Sequence, residues 1–405
     1  MLQLSTDKTF HFELLRVLGT SRSYGADVGE LLTVAEKLIP GDFESWAKEF
    51  EALADYLVAD TQQGKHPVTE RNAFFRIASY YRAADFFLHG NLEDPRIKSF
   101  WAKQTYYFDE AISRMQVPGV RYTVETPSLK IPTIFYQAKN DLQCRPTLLL
   151  CNGYDGSQEE MLHAFGFAAL ERGFNVITFE GPGQPTVLRE QNLGFITEWE
   201  KVVTPVIDHY SVHPQIDAEK LVLLGYSFGG FLIPRSAAFE HRLFAAVCVD
   251  GIFDAHQAFI NDTPPPARKL LEEGKAEEYN EMINGAKQHN TNLRWAIEQG
   301  CWSFKAETPY EFMQKTQTFT LKDIYQKIQC PVLVLEAEED HVFAGQPELL
   351  AGALGSLATY IKLGWADSAE EHCHVGAIDK SSGVVLNWIE DLIATSKQSS
   401  NRRKL

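Results

Sequence analysis

The chain has 405 residues, 44% of them hydrophobic, and its 54 acidic residues outnumber its 38 basic ones to give a net charge of −16. This size and composition predict one large α/β domain with helical additions around a full hydrophobic core. The negative charge argues against binding to nucleic acid or to an anionic membrane. No apolar stretch approaches the roughly 18 residues that span a bilayer, and the first residues lack the pattern of a signal peptide. Six scattered cysteines without a Cys-x-x-Cys pair are typical of reduced thiols, so we expect a cytoplasmic protein.

Residues 1–118 are predicted to be helical. The first clear helical spacing is that of Phe43, Trp46 and Phe50. A second segment, 74–88, carries aromatic residues around most of its circumference, and Asp94-Pro95 predicts the start of a third helix. An aromatic helix of this kind is usually buried between other helices. The alternative is that it lines a pocket for a flat aromatic ligand.

From residue 119 onward, short apolar runs alternate with helical segments, which predicts a mostly parallel sheet with helices on both faces. The runs lie at 120–124, 133–136, 147–151, 174–179, 221–224, 245–249, 331–335 and 359–361, and a longer helical segment is predicted at 195–210. The polar stretch 251–329 interrupts this alternation and is predicted to be a helical insertion over the carboxyl ends of the strands. The expected organisation is therefore a helical region at 1–118, core segments at 119–250 and 330–405, and the insertion at 251–329.

The strongest chemical signal is Gly-x-Ser-x-Gly at Gly225, Ser227 and Gly229. The motif follows directly on an apolar run and precedes a helix start rich in small residues. This context predicts a nucleophile elbow, a sharp turn from strand to helix that presents one serine. The two glycines lack a Cβ, which lets strand and helix approach closely. Ser227 is therefore the predicted nucleophile.

A serine hydroxyl needs a base to accept its proton and an acid to orient that base. In α/β-hydrolases these partners follow the serine in the order acid, histidine, on loops after later strands. Asp340 stands in the acidic loop after the run 331–335, and His372 follows the next run. Asp340 and His372 are the predicted acid and base. The alternatives are Glu338 or Glu339 for the acid and His374 or His341 for the base.

Two further features bear on the chemistry. A tetrahedral intermediate needs backbone N–H donors, and we predict those of Phe228, after the nucleophile, and Tyr154, in the glycine-flanked loop after the run 147–151. An ordinary Asp-Gly turn is the alternative for that loop.

His372, Cys373 and His374 raise the question of a metal site, but alternate positions supply at most two ligands and no partners recur elsewhere. We therefore expect neither a metal nor a cofactor.

Taken together, these motifs resemble one branch of the α/β-hydrolases, which contains 2,6-dihydroxypseudooxynicotine hydrolase and the polyketide-shortening hydrolases of fungal secondary-metabolite clusters. The matching stretches follow in order along nearly the whole chain: Gly41–Trp46, Gly153–Gly156, Glu180–Gln184, Gly225–Gly230, Asn292–Ala296, Glu339–His341 and Glu371–Cys373. The resemblance implies a triad of Ser227, Asp340 and His372. It also implies a homodimer, and a cap formed jointly by the N-terminal helices and the insertion. His374 stands where the family often has glutamine.

The resemblance further implies hydrolysis of a carbon–carbon bond next to a ketone in a polyketide-like or other β-dicarbonyl small molecule, as part of secondary metabolism. A carboxylesterase, lactonase or acyl-transferring enzyme would use the same triad and is the first alternative. A non-hydrolytic cyclase or condensation catalyst is the second alternative. A binding protein on a hydrolase fold is the third alternative, although such a protein would not need an intact serine, acid and histidine.

Overall fold

A computed structural model describes residues 2–61 and 66–402, which form two compact units. The helical unit consists of Met1–Val120, Pro182–Phe195 and Phe259–Thr318. The sheet unit consists of Arg121–Gly181, Ile196–Ala258 and Phe319–Leu405. The segment Pro182–Phe195, which the sequence places within 119–250, thus groups with the helices.

The described residues form a sheet of eight strands in the order β1-β2-β4-β3-β5-β6-β7-β8. In chain order the strands are β1 Val120–Glu125, β2 Lys130–Tyr136, β3 Arg145–Cys151, β4 Asn175–Phe179, β5 Ile216–Tyr226, β6 Ala245–Val249, β7 Val332–Ala337 and β8 Ala358–Leu363. Strand β2 pairs antiparallel with β4, whereas every pair from β4 through β3 to β8 is parallel. The predicted mostly parallel sheet is therefore confirmed.

The helices of the described residues alternate with these strands or extend the helical unit. In chain order they are α1 Lys8–Gly19, α2 Val28–Lys37, α3 Phe43–Thr61, α4 Pro67–Asp85, α5 Pro95–Ser113, α6 Gln158–Met161, α7 Phe167–Glu171, α8 Pro185–Gln191, α9 Glu200–Tyr210, α10 Gly229–Ala237, α11 Ala255–Asp262, α12 Pro265–Glu272, α13 Ala276–Ala286, α14 Thr291–Ser303, α15 Pro309–Thr316, α16 Gln346–Leu354 and α17 Ile378–Arg402. None of these helices is both long and apolar enough to cross a membrane.

The central strands have the character that the sequence predicts. Every residue of β4, β6 and β7 is buried. Most of their side chains are apolar, and strands of this kind occur where helices cover both sides of a parallel sheet. The carboxyl ends of β5, β6 and β7 lie side by side at one edge of this sheet, because these strands are parallel neighbours.

One predicted helix begins later than expected. The segment 195–210 is helical only from Glu200, where α9 begins. The backbone N–H of Phe195 donates to the carbonyl of Ser303, at the end of α14, over 2.9 Å. Phe195 thus belongs to the helical unit, which the helical spacing in the sequence could not show.

The aromatic residues of 74–88 form part of a hydrophobic core. Tyr80, Tyr81 and Phe87 are buried, together with Phe10 and Trp46 from other helices. Phe87 packs on Phe10, Phe43 and Trp46 at ring distances between 4.4 and 5.2 Å. The helix therefore fills the interior of its own unit, and the alternative of a ligand pocket along it finds no support.

Candidate active site

Ser227 lies at a sharp turn between β5 and α10. Strand β5 ends at Tyr226 and α10 begins at Gly229. Ser227 has a φ of +59°, a left-handed conformation that is uncommon for a residue with a side chain. Its N–H donates to the carbonyl of Val249, at the end of β6, over 3.0 Å. This strained turn has the form of the nucleophile elbow that the sequence predicts.

The elbow leaves no room for side chains at two of its glycines. A Cβ on Gly225 would lie 2.1 Å from the carbonyl oxygen of Gly229, and one on Gly230 would lie 1.9 Å from that of Asp250. Both contacts are with backbone atoms, which cannot move aside as the end of a long side chain can. Gly225 therefore allows β5 to meet α10, and Gly230 allows α10 to meet the end of β6.

We expect Gly225→Ala to destabilise the protein by about 3 kcal/mol, because an added methyl group must displace backbone in a packed core. Gly352, in the interior of α16, is the matched control, since a Cβ added there would meet no atom within 4 Å beyond its chain neighbours and the adjacent backbone of its own helix. Gly352→Ala should stabilise the protein by about 0.5–1 kcal/mol through helix propensity. Urea denaturation measures both changes. Equal stability of the two variants would contradict this account of the elbow.

The structure brings the predicted serine, acid and base together. The Oγ atom of Ser227 lies 2.9 Å from Nε2 of His372, and Nδ1 of the same ring lies 3.0 Å from Oδ2 of Asp340. His372 and Asp340 are buried, each with 6% of its surface exposed, whereas Ser227 is partly exposed. The other carboxylate oxygen of Asp340 accepts the N–H groups of Val342 at 2.7 Å and Phe343 at 3.0 Å, which fixes its orientation.

The alternative residues occupy other positions. The ring of His374 is fully buried, with Nδ1 2.8 Å from the carbonyl oxygen of Ala369. His341 is exposed, with its ring centre 6.4 Å from that of His372. Glu338 and Glu339 are both exposed, and the Glu338 carboxylate accepts the N–H of Trp365 at 3.0 Å. Among the predicted candidates, the geometry therefore joins Ser227 to His372 and Asp340.

The surroundings of this group stabilise the imidazolium that forms when His372 accepts a proton. Burial acts to raise the pKa of Asp340, but the charge of His372 and the hydrogen bonds to the carboxylate outweigh it and hold this pKa at about 2. Burial acts to lower the pKa of His372, but the negative charge of Asp340 and further hydrogen bonds outweigh it and raise this pKa well above 6.5. The histidine is thus a stronger base than free imidazole.

Sequence reasoning missed one buried acid at this site. Asp250 directly follows β6 and has no exposed surface. Its Oδ2 lies 3.0 Å from Nδ1 of His372, the same distance as that of Asp340. The available signal was an aspartate immediately after a buried apolar run, in a strand next to the one that carries the serine. The sequence did not show that its carboxylate reaches the histidine.

Asp250, His372 and Cys373 have ligand atoms within 4.8 Å of one another, a grouping that could hold a metal ion. Their hydrogen bonds argue against that use. Both carboxylate oxygens of Asp250 accept backbone N–H groups, from Ala337 and Cys373. The expectation of a metal-free site stays a prediction.

The loop that follows β3 passes beside the elbow. A Cβ on Gly153 would lie 2.6 Å from the backbone nitrogen of Phe228 and 2.9 Å from Cβ of Ser227. The next residue, Tyr154, is buried and places its ring 6.3 Å from that of Phe228, at a steep angle to it. Tyr154 and Phe228 are thus neighbours at the nucleophile. Their role as N–H donors to an oxyanion stays a prediction.

Comparison with known proteins shows the family of this chain. Residues 148–374 match the alpha/beta hydrolase family. The chain belongs to this family. The alpha/beta hydrolase is 29% identical to Hydrolase LUC6 of Fusarium sp, over 96% of this chain and 98% of that one. It is also 29% identical to 20-hydroxy-prefusarin hydrolase FUS2 of Gibberella moniliformis, over 96% of this chain and 97% of that one.

A solved structure shares the fold of this alpha/beta hydrolase. It is that of 2,6-dihydroxy-pseudo-oxynicotine hydrolase, with a TM-score of 0.70 over 94% of this chain and 96% of that one. The sequence identity is 18%, so the similarity concerns the fold alone. The predicted α/β-hydrolase fold and the predicted family are both confirmed.

Proposed function

We propose that this alpha/beta hydrolase is a serine hydrolase in which Ser227 is the nucleophile, His372 the general base and Asp340 the acid that orients the base. The observation that carries the proposal is the continuous contact from Ser227 Oγ through both ring nitrogens of His372 to Asp340, with steps of 2.9 and 3.0 Å. Such an arrangement lets the imidazole accept the serine proton while the carboxylate stabilises the imidazolium that forms.

We further propose that the bond cleaved is a carbon–carbon bond of a β-dicarbonyl compound. Ser227 Oγ adds to one ketone carbonyl as its proton moves to His372, which forms a tetrahedral alkoxide. The C–C bond then breaks, its electron pair leaves as the enolate of the second carbonyl, and His372 returns the proton to that carbon. Water, activated by His372, releases the acyl group from Ser227. The net reaction adds one water and yields a carboxylic acid and a ketone.

Aromatic side chains pack beside the nucleophile and the base and make their surroundings apolar. Phe228, Phe231 and Phe319 are buried and pack together, with ring centres 5.5 to 6.0 Å apart. The ring of Phe343 meets that of His372 edge-on at 5.6 Å. A related protein is named 20-hydroxy-prefusarin hydrolase, which is consistent with a role in secondary metabolism.

The test compares two substrates that share one acyl group, an aryl β-diketone and the matching aryl ester. We expect the wild-type protein to convert the diketone into an arenecarboxylic acid and a methyl ketone, as identified by mass spectrometry. Turnover of the ester alone would contradict C–C cleavage but would still agree with the proposal of a serine hydrolase. A product with the mass of the substrate would instead indicate a cyclase.

A further inference from the structure

The base at this site faces two buried acids on neighbouring strands. Asp340 stands in the loop after β7, and Asp250 directly follows β6. Oδ2 of each acid lies 3.0 Å from the same atom, Nδ1 of His372. A triad needs one acid at this nitrogen. The second carboxylate therefore calls for an explanation.

Asp250 is held in place by backbone groups from two directions. Its Oδ1 accepts the N–H of Ala337, the last residue of β7, at 3.2 Å. Its Oδ2 accepts the N–H of Cys373, the residue after the base. The backbone of Asp250 has a φ of +57°, and its carbonyl lies against Gly230 at the start of α10. The carboxylate is thus fixed between the elbow, the end of β7 and the histidine loop.

The need to compensate a buried negative charge also indicates that Asp250 interacts with His372. Asp250 has no exposed surface, and within 2–61 and 66–402 His372 is the sole ion-pair partner of either acid. A buried carboxylate is costly unless an opposite charge or hydrogen bonds compensate for it. Protonation of His372 supplies that charge at the moment when the base takes the serine proton.

We propose that Asp250 is a second positioning residue, which shares with Asp340 the task of holding His372 with its proton on Nδ1 and of stabilising the imidazolium. The proposal rests on the proposed function, since it assumes that His372 acts as the base for Ser227. It predicts that neither acid alone is indispensable, because each carboxylate can accept the Nδ1 proton when the other is neutralised.

The alternative is a purely structural role, in which Asp250 serves as an acceptor for the N–H groups of Ala337 and Cys373. The two roles differ in what they do to His372. Besides the two acids, Cys373 and His341 lie near its ring, and Glu371, the residue before it, interacts with its charge. A structural acceptor affects stability alone, whereas a positioning carboxylate raises the pKa of the base. Removing its charge should therefore move the acidic limb of kcat/KM to lower pH.

The experiment compares wild type, Asp250→Asn, Asp340→Asn and the double variant, using the aryl ester and the rate of fluorophosphonate labelling from pH 5 to 9. We expect each single variant to lose about 10- to 100-fold in kcat/KM, the worth of one charge-assisted hydrogen bond. The double variant should lose about 10⁴-fold, as when a triad loses its acid. The acidic limb should move to lower pH in both single variants.

A matched control separates this effect from the loss of any buried acid. Glu240 is buried, with 4% of its surface exposed, and accepts the backbone N–H of Arg242 at 3.1 Å. Glu240→Gln should lower the melting temperature and leave the pH profile in place. A loss of about 10⁴-fold in Asp340→Asn alone, with an unmoved acidic limb in Asp250→Asn, would overturn the proposal.

A second measurement does not depend on the Asp250 variant folding. A proton shared between His372 Nδ1 and a carboxylate gives a strongly downfield NMR resonance, which should persist in Asp340→Asn because Asp250 still accepts it. Disappearance of that resonance in folded Asp340→Asn would also overturn the proposal. Failure of the proposed function would give a different result. Equal labelling of wild type and Ser227→Ala would show that Ser227 is not the nucleophile, whether or not the downfield resonance is present.

Discussion

Ser227→Ala is expected to lower kcat by about 10⁶-fold, the loss found when a serine hydrolase loses its nucleophile. The reason is that the methyl group left at position 227 has no oxygen to attack a carbonyl or to contact His372, which Oγ approaches at 2.9 Å. The fluorophosphonate label should disappear completely. Kinetics with the aryl ester and mass spectrometry of the labelled peptide measure the two effects.

Ser236→Ala is the matched control for this variant. Ser236 is a fully buried serine of α10, the helix that follows the elbow, and its hydroxyl donates to the carbonyl of Leu232 at 2.9 Å. We expect this variant to lose about 1 kcal/mol of stability and to keep its kcat. Full labelling of Ser227→Ala, or an equal loss of kcat in Ser236→Ala, would show that Ser227 is not the reacting group.

His372→Ala is expected to lower kcat by about 10⁶-fold as well, because serine, base and acid act as one unit and the loss of one member removes the whole effect. His374→Gln is its matched control. The amide of glutamine can replace the imidazole as donor to the carbonyl of Ala369, which Nδ1 of His374 approaches at 2.8 Å. This variant should keep kcat within about 10-fold, the worth of one hydrogen bond.

The two histidine variants are compared at equal folded concentration, because His372→Ala leaves two carboxylates buried without their partner. Circular dichroism and the melting temperature establish that concentration. A large loss of kcat in His374→Gln together with a small loss in His372→Ala would mean that the base has been assigned to the wrong histidine.

Local sequence patterns were enough to predict most strands of the sheet. The runs 147–151 and 245–249 are mostly aliphatic, and they correspond to β3 Arg145–Cys151 and β6 Ala245–Val249. A strand buried on both faces needs such a run whatever its neighbours are, so the prediction did not depend on knowing the pairing. The order of the motifs in the chain also made Ser227, Asp340 and His372 the preferred candidates, and the structure places His372 in contact with the other two.

What the sequence missed depends on contacts between distant segments. An aspartate after a buried strand is common, and nothing local shows that the Asp250 carboxylate ends 3.0 Å from a histidine 122 positions later. The same holds for Pro182–Phe195, whose Leu188 packs into the core of the helical unit. The aromatic character of α4 was visible, but only its neighbours in space show that it is buried against other helices.

The division of the helical unit into three chain segments has a consequence for synthesis. Its core contains Leu188 and Trp302 alongside the aromatic residues of α1, α3 and α4. Because a growing chain emerges from its amino end, those first helices exist well before the two later residues that complete their packing. The N-terminal 120 residues, expressed alone, should therefore aggregate or bind a chaperone, and any transplant of this unit into another enzyme must carry all three segments.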